Sequence, residues 1–166
     1  KPAEFVAALM IMSIVRLAIG MVPVTILAIV FFGFNLYGFG IALAAFFLNL
    51  LLTSWAVGIV VSGVVMRNGM GAETLAWTIM FILMPLVCVY YPVSVLPAWL
   101  QWISWALPPT YVFEGMRALV LDQTFRGDLM LAAFALNLVY FAIAVAVFLA
   151  LLRSARRIGS LLQSGE

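Results

Sequence analysis

Histidine is absent from this 166-residue chain, lysine occurs once, at Lys1, and cysteine once, at Cys88. Each scarcity removes a class of chemistry. Without imidazole there is no ordinary ligand for an intramembrane haem or chlorophyll, and the usual zinc sites are excluded. A lone cysteine has no partner for an intrachain disulfide. The phosphate-binding loop of nucleotide hydrolases needs a lysine followed by serine or threonine after a glycine-rich turn, and here the only lysine precedes Pro2. Charge is scarce too: 8% of residues carry it, against about 25% in a soluble domain. The net charge of +2 does not mark a nucleic-acid partner, because the basic residues fall at the borders of apolar runs.

What is present is apolar: 67% of residues are hydrophobic and the mean hydropathy is +1.26. Two uncharged runs organise the chain. The first, Leu17 to Met66, is fifty residues long. As one helix it would measure about 75 Å, more than twice the hydrocarbon thickness, so it must fold back. The corner falls at Gly33-Phe34-Asn35-Leu36-Tyr37-Gly38-Phe39-Gly40, where glycines, an asparagine and interfacial aromatics cluster. This predicts an outward span over about 13–32 and an inward one over 41–66. Arg16 then sits near the inner border, where its guanidinium snorkels to the headgroups or lines a polar cavity. Pro23 reads as a kink relieved by neighbouring helices. Asn49, Thr53 and Ser54, near the middle of the second span, either line a passage or hydrogen-bond across helices.

The second run, Thr74 to Phe113, is forty residues long, too long for one crossing and barely enough for two. Two full crossings would put the basic tail Arg153-Ser154-Ala155-Arg156-Arg157 on the opposite side from Arg67. Short basic flanks mark the cytoplasmic face, which favours a single crossing over about 74–91 and a segment over about 96–121 that enters and leaves by the outer leaflet. Lys1, Arg67, Arg153, Arg156 and Arg157 then share one side. Arg117 and Arg126 lie on the other, among Glu114, Asp122 and Asp128. Arg67 to Glu73 becomes a short cytoplasmic turn, with Glu73 meeting the positive end of the next helix. The last span, about 129–152, carries Ala142, Ala146 and Ala150 at intervals of four, a surface for close helix packing. The tail occupies 153–166.

Within the outer segment, Trp99, Trp102 and Trp105 recur every third residue, as in a short helix at the headgroup boundary. Pro108 and Pro109 break it, because the residue before a proline is driven out of helical geometry and proline fits only a first turn. A second short helix then runs through Tyr111, Glu114 and Arg117 to about Leu121, with Glu114 and Arg117 on one face. Backbone that is neither spanning helix nor barrel is tolerated at membrane depth only under protein or beside a water-filled cavity. Such a hairpin either caps the outer end of a passage or braces the bundle. The expectation is an all-α membrane protein over residues 1–166, with four transmembrane helices plus a re-entrant helical hairpin on the outer side before the last span.

The stretch Leu107-Pro108-Pro109-Thr110-Tyr111-Val112-Phe113-Glu114-Gly115-Met116-Arg117, preceded by Tyr91-Pro92-Val93-Ser94-Val95-Leu96-Pro97-Ala98-Trp99-Leu100, resembles the permease subunit of type-2 ATP-binding-cassette transporters, the bacterial drug and polysaccharide exporters. The resemblance runs along nearly the whole chain. It implies an outer pair of short helices between the fifth and sixth spans of a six-span protein, so that two N-terminal spans are missing from this chain. Lys1, Pro2, Glu4 and Phe5 would match the end of the cytoplasmic coupling segment that rests on the ATPase. Where the family commonly has a serine-glycine pair, this chain has Val87-Cys88, which leaves the local helix bend open.

The same resemblance implies a dimer of permeases in the bacterial inner membrane, both ends of this chain cytoplasmic. Two nucleotide-binding subunits would hold ATP and Mg; this chain would hold no cofactor and do no catalysis. ATP-driven closure of those partners would rock the spans between inward-open and outward-open states, which requires differential affinity of ATP for the two. The contrasting class is a non-transporting subunit that anchors or stabilises a larger complex. An intramembrane enzyme is disfavoured, because Glu4, Glu73 and Glu114 fall at different borders without a histidine to assist.

Overall fold

A chain this apolar must satisfy its backbone polar groups internally, and an α-helix does so within one segment. The computed structural model describes residues 2–33, 38, 40–69 and 71–158. They form α1 (Pro2–Phe32), α2 (Ile41–Asn68), α3 (Ala72–Leu86), a 3₁₀ turn at Val93–Val95, α4 (Ala98–Trp105), α5 (Pro108–Leu121) and α6 (Gly127–Ile158). There is no strand among the described residues. Among the described residues, three stretches are long and apolar enough to cross a membrane: Ile11–Phe31 in α1, all of α2, and Gly127–Arg156 in α6.

The chain divides into two units, Lys1–Ala44 and Ala45–Glu166. In the first, α1 is continuous from Pro2 through Pro23, well upstream of the expected span start near Ser13. Helix and span are different quantities: Glu4 belongs to the helix but not to its apolar part. Arg16 stands exposed on α1, and Pro2, Glu4 and Phe5 lie in its first turns, while Lys1 falls outside the described residues. α1 ends at Gly33, whose φ of +60 and N–H bond to the Ile29 carbonyl at 3.0 Å close the last turn. The remainder of the expected corner, apart from Gly38 and Gly40, lies outside the described residues.

In the second unit, α2 and α6 lie side by side and run parallel. Asn49 meets Asn137, and fourteen residues further along both helices a Cβ on Gly63 would meet Leu151 at 3.1 Å. One consequence follows from direction alone. Arg67, in the last turn of α2, comes to the same end as Arg153 and Arg156 of α6, while Phe46, Gly115 and Met130 gather at the opposite end, where a Cβ on Gly115 would lie 3.3 Å from the Phe46 ring and 3.4 Å from the Met130 methyl.

The expected span over 74–91 differs from the observed helix. α3 has 15 residues, about 22 Å at helical rise, short of a hydrocarbon core of about 30 Å. Pro85 sits in its last turn, where it has no N–H to donate. The chain leaves helical geometry at Cys88, whose φ is +58. Expected Tyr90 and Tyr91 therefore belong to a turn. Pro108 and Pro109 do open α5, at its first two positions. α5 and α6 form a helical hairpin about the 122–126 loop, whose corner is pinned by Asp122 and Thr124 N–H groups on the Ala118 carbonyl at 3.0 and 3.3 Å.

Candidate functional site: a clamped helical hairpin

Breaking three helices within thirty residues releases backbone groups that a spanning helix would keep paired. Side chains of the same region take them up. Glu114 on α5 uses Oε1 twice: it accepts the Val93 N–H at 2.8 Å and pairs with Arg117 Nη1 at 2.7 Å. Arg117 Nη2 donates to the Cys88 carbonyl. The ion pair therefore clamps both ends of the turn between α3 and α4 onto α5. Its side chains are 21% and 20% exposed, so most of their surface is removed from solvent. The Gln101 amide donates to the Leu96 carbonyl at 2.8 Å, the Tyr91 hydroxyl to the Pro85 carbonyl at 2.6 Å, and the Tyr140 hydroxyl of α6 to the Ala106 carbonyl at 3.0 Å.

Beneath the clamp lies a fully buried polar chain. Cys88 Sγ is 3.4 Å from Ser104 Oγ, which is 3.4 Å from Thr110 Oγ1. One residue comes from each broken element, and all three are fully buried. Trp105 and Tyr111 close the same corner edge to face, ring centroids 4.9 Å apart. Trp99 and Trp102, by contrast, are 67% and 81% exposed on the outer face of α4, next to exposed Tyr90 and Val95. Of the three tryptophans, then, two point away from the protein and one packs into it, and Pro108 is buried while Pro109 is half-buried.

Cys88 stands where a helix of this kind normally ends on glycine, and where the resembled family commonly has one. The bend is made all the same, with a side chain in left-handed backbone at a cost of about 1–2 kcal/mol. Cys88→Gly is expected to stay within about 1 kcal/mol of the parent, because relief of that strain offsets the lost Sγ contacts and the looser unfolded chain. Cys88→Val, β-branched at positive φ and larger in a closed pocket, should lose about 3 kcal/mol. Unfolding in mixed micelles measures both; equal losses for the two would remove backbone strain as the controlling factor.

A second polar cluster joins α2 to α6. Asn137 Nδ2 donates to the Asn49 carbonyl at 3.0 Å and lies 3.1 Å from Asn49 Oδ1, and the Thr53 hydroxyl is 2.6 Å from Asn137 Oδ1. Asn49 also donates to the Ala45 carbonyl at 3.0 Å. Asn49 and Asn137 are both buried, while Ser54 is exposed on α2. The structure thus brings Asn49 and Thr53 together and leaves Ser54 out of that cluster, while Arg16 belongs to the first unit. Asn137 escaped the sequence reading; the available signal was a lone asparagine inside an otherwise apolar span, which is costly unless paired.

At the far side of α5, Arg126 and Asp128 form an exposed double contact, Nε to Oδ1 at 2.9 Å and Nη2 to Oδ2 at 2.6 Å. The Asp128 carboxylate raises Arg126 above the ordinary guanidinium value, through the hydrogen bond first and then through its charge. No group of three or more metal-ligating side chains occurs among the described residues.

Residues 1–121 match the family described as ABC-2 type transporter. That is well over half of the chain, and the protein belongs to this family, whose members are membrane transport components associated with an ATP-binding-cassette ATPase subunit. The matched stretch ends at Leu121, the last residue of α5, so it contains the whole clamp. Neither the curated proteins nor the solved structures offer a match.

Proposed function

We propose that this chain is the membrane-spanning part of an ATP-driven exporter in the bacterial inner membrane, moving a drug, lipid-linked or polysaccharide substrate outward by alternating access. Two copies act with two nucleotide-binding subunits that hold ATP and Mg, and the first turns of α1, from Pro2 through Phe5, lie at the coupling end. The hairpin of α4 and α5 is the outer cap of the passage. The observation that carries this reading is the parallel pairing of α2 and α6, since it gathers Arg67, Arg153 and Arg156 at one end. Basic flanks orient that end to the cytoplasm, which sets the clamped hairpin toward the outer leaflet.

Depth supports the same reading. A return helix of 15 residues is shorter than the hydrocarbon core, so the turn after α3 lies just beneath the outer headgroup boundary, and Glu114, Arg117, Gln101 and Tyr91 supply the cover that irregular backbone needs there. The chain then turns through the hairpin on the outer side and makes its fourth and last crossing as α6. Because the clamp joins α3 to α5, rocking of the spans is transmitted to the cap.

The test is topological. In right-side-out spheroplasts, an impermeant biotin reagent should label a cysteine introduced at Gln123 and spare one introduced after Arg156, with the reverse in inverted vesicles. Labelling of the Arg156 position from outside would overturn the orientation, and with it the outward cap. In vesicles holding the complete transporter, Glu114→Ala with Arg117→Ala should abolish most ATP-coupled efflux; full efflux would leave the hairpin as a brace.

A further inference from the structure

The clamp residues Glu114 and Arg117 also line a cavity of about 520 Å³, together with Pro92, Trp105, Asp122 and Arg126 and an apolar part that includes Leu121 and Leu129. Its charges fall into two sets. Glu114 and Arg117 are consumed by each other and by the backbone of the α3–α4 turn. The Asp122 carboxylate, at the C-terminal end of α5, takes no ion pair or side-chain hydrogen bond among the described residues. Arg126 spends only Nε and Nη2 on Asp128, and a guanidinium has five N–H donors, so Nη1 remains for an anion. The formal charges of the lining cancel.

A cavity with one unpaired acid, one arginine that shares its charge with Asp128 but keeps Nη1 free, an indole wall and an apolar floor selects against a simple anion, which Asp122 and Glu114 repel, and leaves that N–H unused by a simple cation. It matches a molecule carrying both charges on an apolar body. We propose that it is a binding site for the zwitterionic ammonium-phosphate headgroup of a membrane phospholipid. Arg126 takes the phosphate through its free N–H donors, Asp122 and the Trp105 ring take the ammonium, and the glycerol and first methylenes lie on Pro92, Leu121 and Leu129. Exposed Trp99 and Trp102 on the adjacent α4, and exposed Leu121 and Phe125, place this opening at the headgroup level of one leaflet. The assignment rests on the hairpin lying in the membrane, and holds whether or not the hairpin gates a passage.

The experiment is lipid retention by native mass spectrometry on the complete transporter in nanodiscs of equal phosphatidylethanolamine and phosphatidylglycerol. The parent should keep phosphatidylethanolamine selectively, and Asp122→Asn and Arg126→Gln should each cut that selectivity about three- to fivefold, as expected for one partly exposed charge contact. Ser62→Ala, an exposed position toward the opposite end of α2, touches none of the invoked groups and should keep it. Soluble phosphoethanolamine added at high concentration should displace the lipid; displacement by inorganic phosphate alone would show a plain anion site and overturn the zwitterion assignment. Equal retention of the two lipids by the parent, or unchanged selectivity in both variants, would also overturn it. Efflux is measured in parallel: loss of efflux in the Glu114→Ala, Arg117→Ala double variant bears on the cap, not on this site.

Discussion

Arg117→Ala is expected to be among the most damaging single substitutions in the chain, with a loss of about 2–4 kcal/mol. Removing the guanidinium leaves Glu114 charged and about four-fifths covered, with only the Val93 N–H to stabilise it. It also strands the Cys88 carbonyl, which Arg117 Nη2 had satisfied. Breaking one partner of a buried pair costs about 3–5 kcal/mol, and residual exposure places this one toward the lower part of that range. Glu114→Ala should cost a similar amount for a mirrored reason, since it orphans the Val93 N–H and an uncompensated cation. The double variant Glu114→Ala, Arg117→Ala should then fall well short of the sum, by about 1–3 kcal/mol, because both charges leave together. Arg117→Lys should rescue only in part: one ammonium cannot present two planar donors to Glu114 and Cys88 at once. Unfolding of the detergent-solubilised protein gives these numbers. Additive losses, or a loss under about 1 kcal/mol for Arg117→Ala, would mean that the pair is a surface contact and does not hold the turn.

Much of this hairpin is legible in the sequence. Pro108 and Pro109 fix a helix start by removing N–H groups that a first turn does not use, and they open α5. The spacing of Glu114 and Arg117 put them on one face, and they pair at 2.7 Å. The clamp's other half was not legible, because its partners are main-chain atoms of Val93 and Cys88, 21 and 29 residues away. Main-chain groups are the same at every position and leave no mark in a sequence.

The end of α3 was hidden for a related reason. The chain stays apolar from Leu86 to Val89, past the end of the helix, and the residue that bends it is a cysteine where glycine would have announced the turn. The length of α1 illustrates a third limit. Charge and hydropathy locate a membrane border, and a helix runs past that border at no cost. Asn137 illustrates a fourth, since its partner lies 88 positions away, and only the parallel run of α2 beside α6 brings the two asparagines level.

Gly115→Leu should match or exceed the loss in Arg117→Ala through packing alone. Gly115 sits in the middle of α5, buried, and it lets α5 approach both long helices of the unit. A Cβ there would lie 3.3 Å from Phe46 Cε1 on α2, 3.4 Å from Met130 Cε and 3.9 Å from Leu129 Cβ on α6. The first two atoms are the far ends of side chains, so a single methyl is accommodated by shifts of a few tenths of an ångström. The gain in helix propensity on replacing glycine, about 1 kcal/mol, opposes that small strain, and Gly115→Ala should remain within about 1 kcal/mol of the parent. Leucine adds three more carbons where Phe46 and Met130 already stand, and Phe46 is held by an edge contact to Phe125 with centroids 6.3 Å apart. Displacing Met130 also disturbs Asn49, whose amide is 3.5 Å from the Met130 sulfur. Overpacking of that size costs about 1–3 kcal/mol, and more when helices must separate; with the polar cluster loosened, about 3–4 kcal/mol is expected. If the transporter works as proposed, efflux should fall with stability in Gly115→Leu and persist in Gly115→Ala. Phe46→Ala, made together with Gly115→Leu, should recover part of the loss by vacating the contested volume. No recovery, with Gly115→Ala already as damaging as leucine, would show that the position is intolerant for reasons other than the close approach of α5 to α2 and α6.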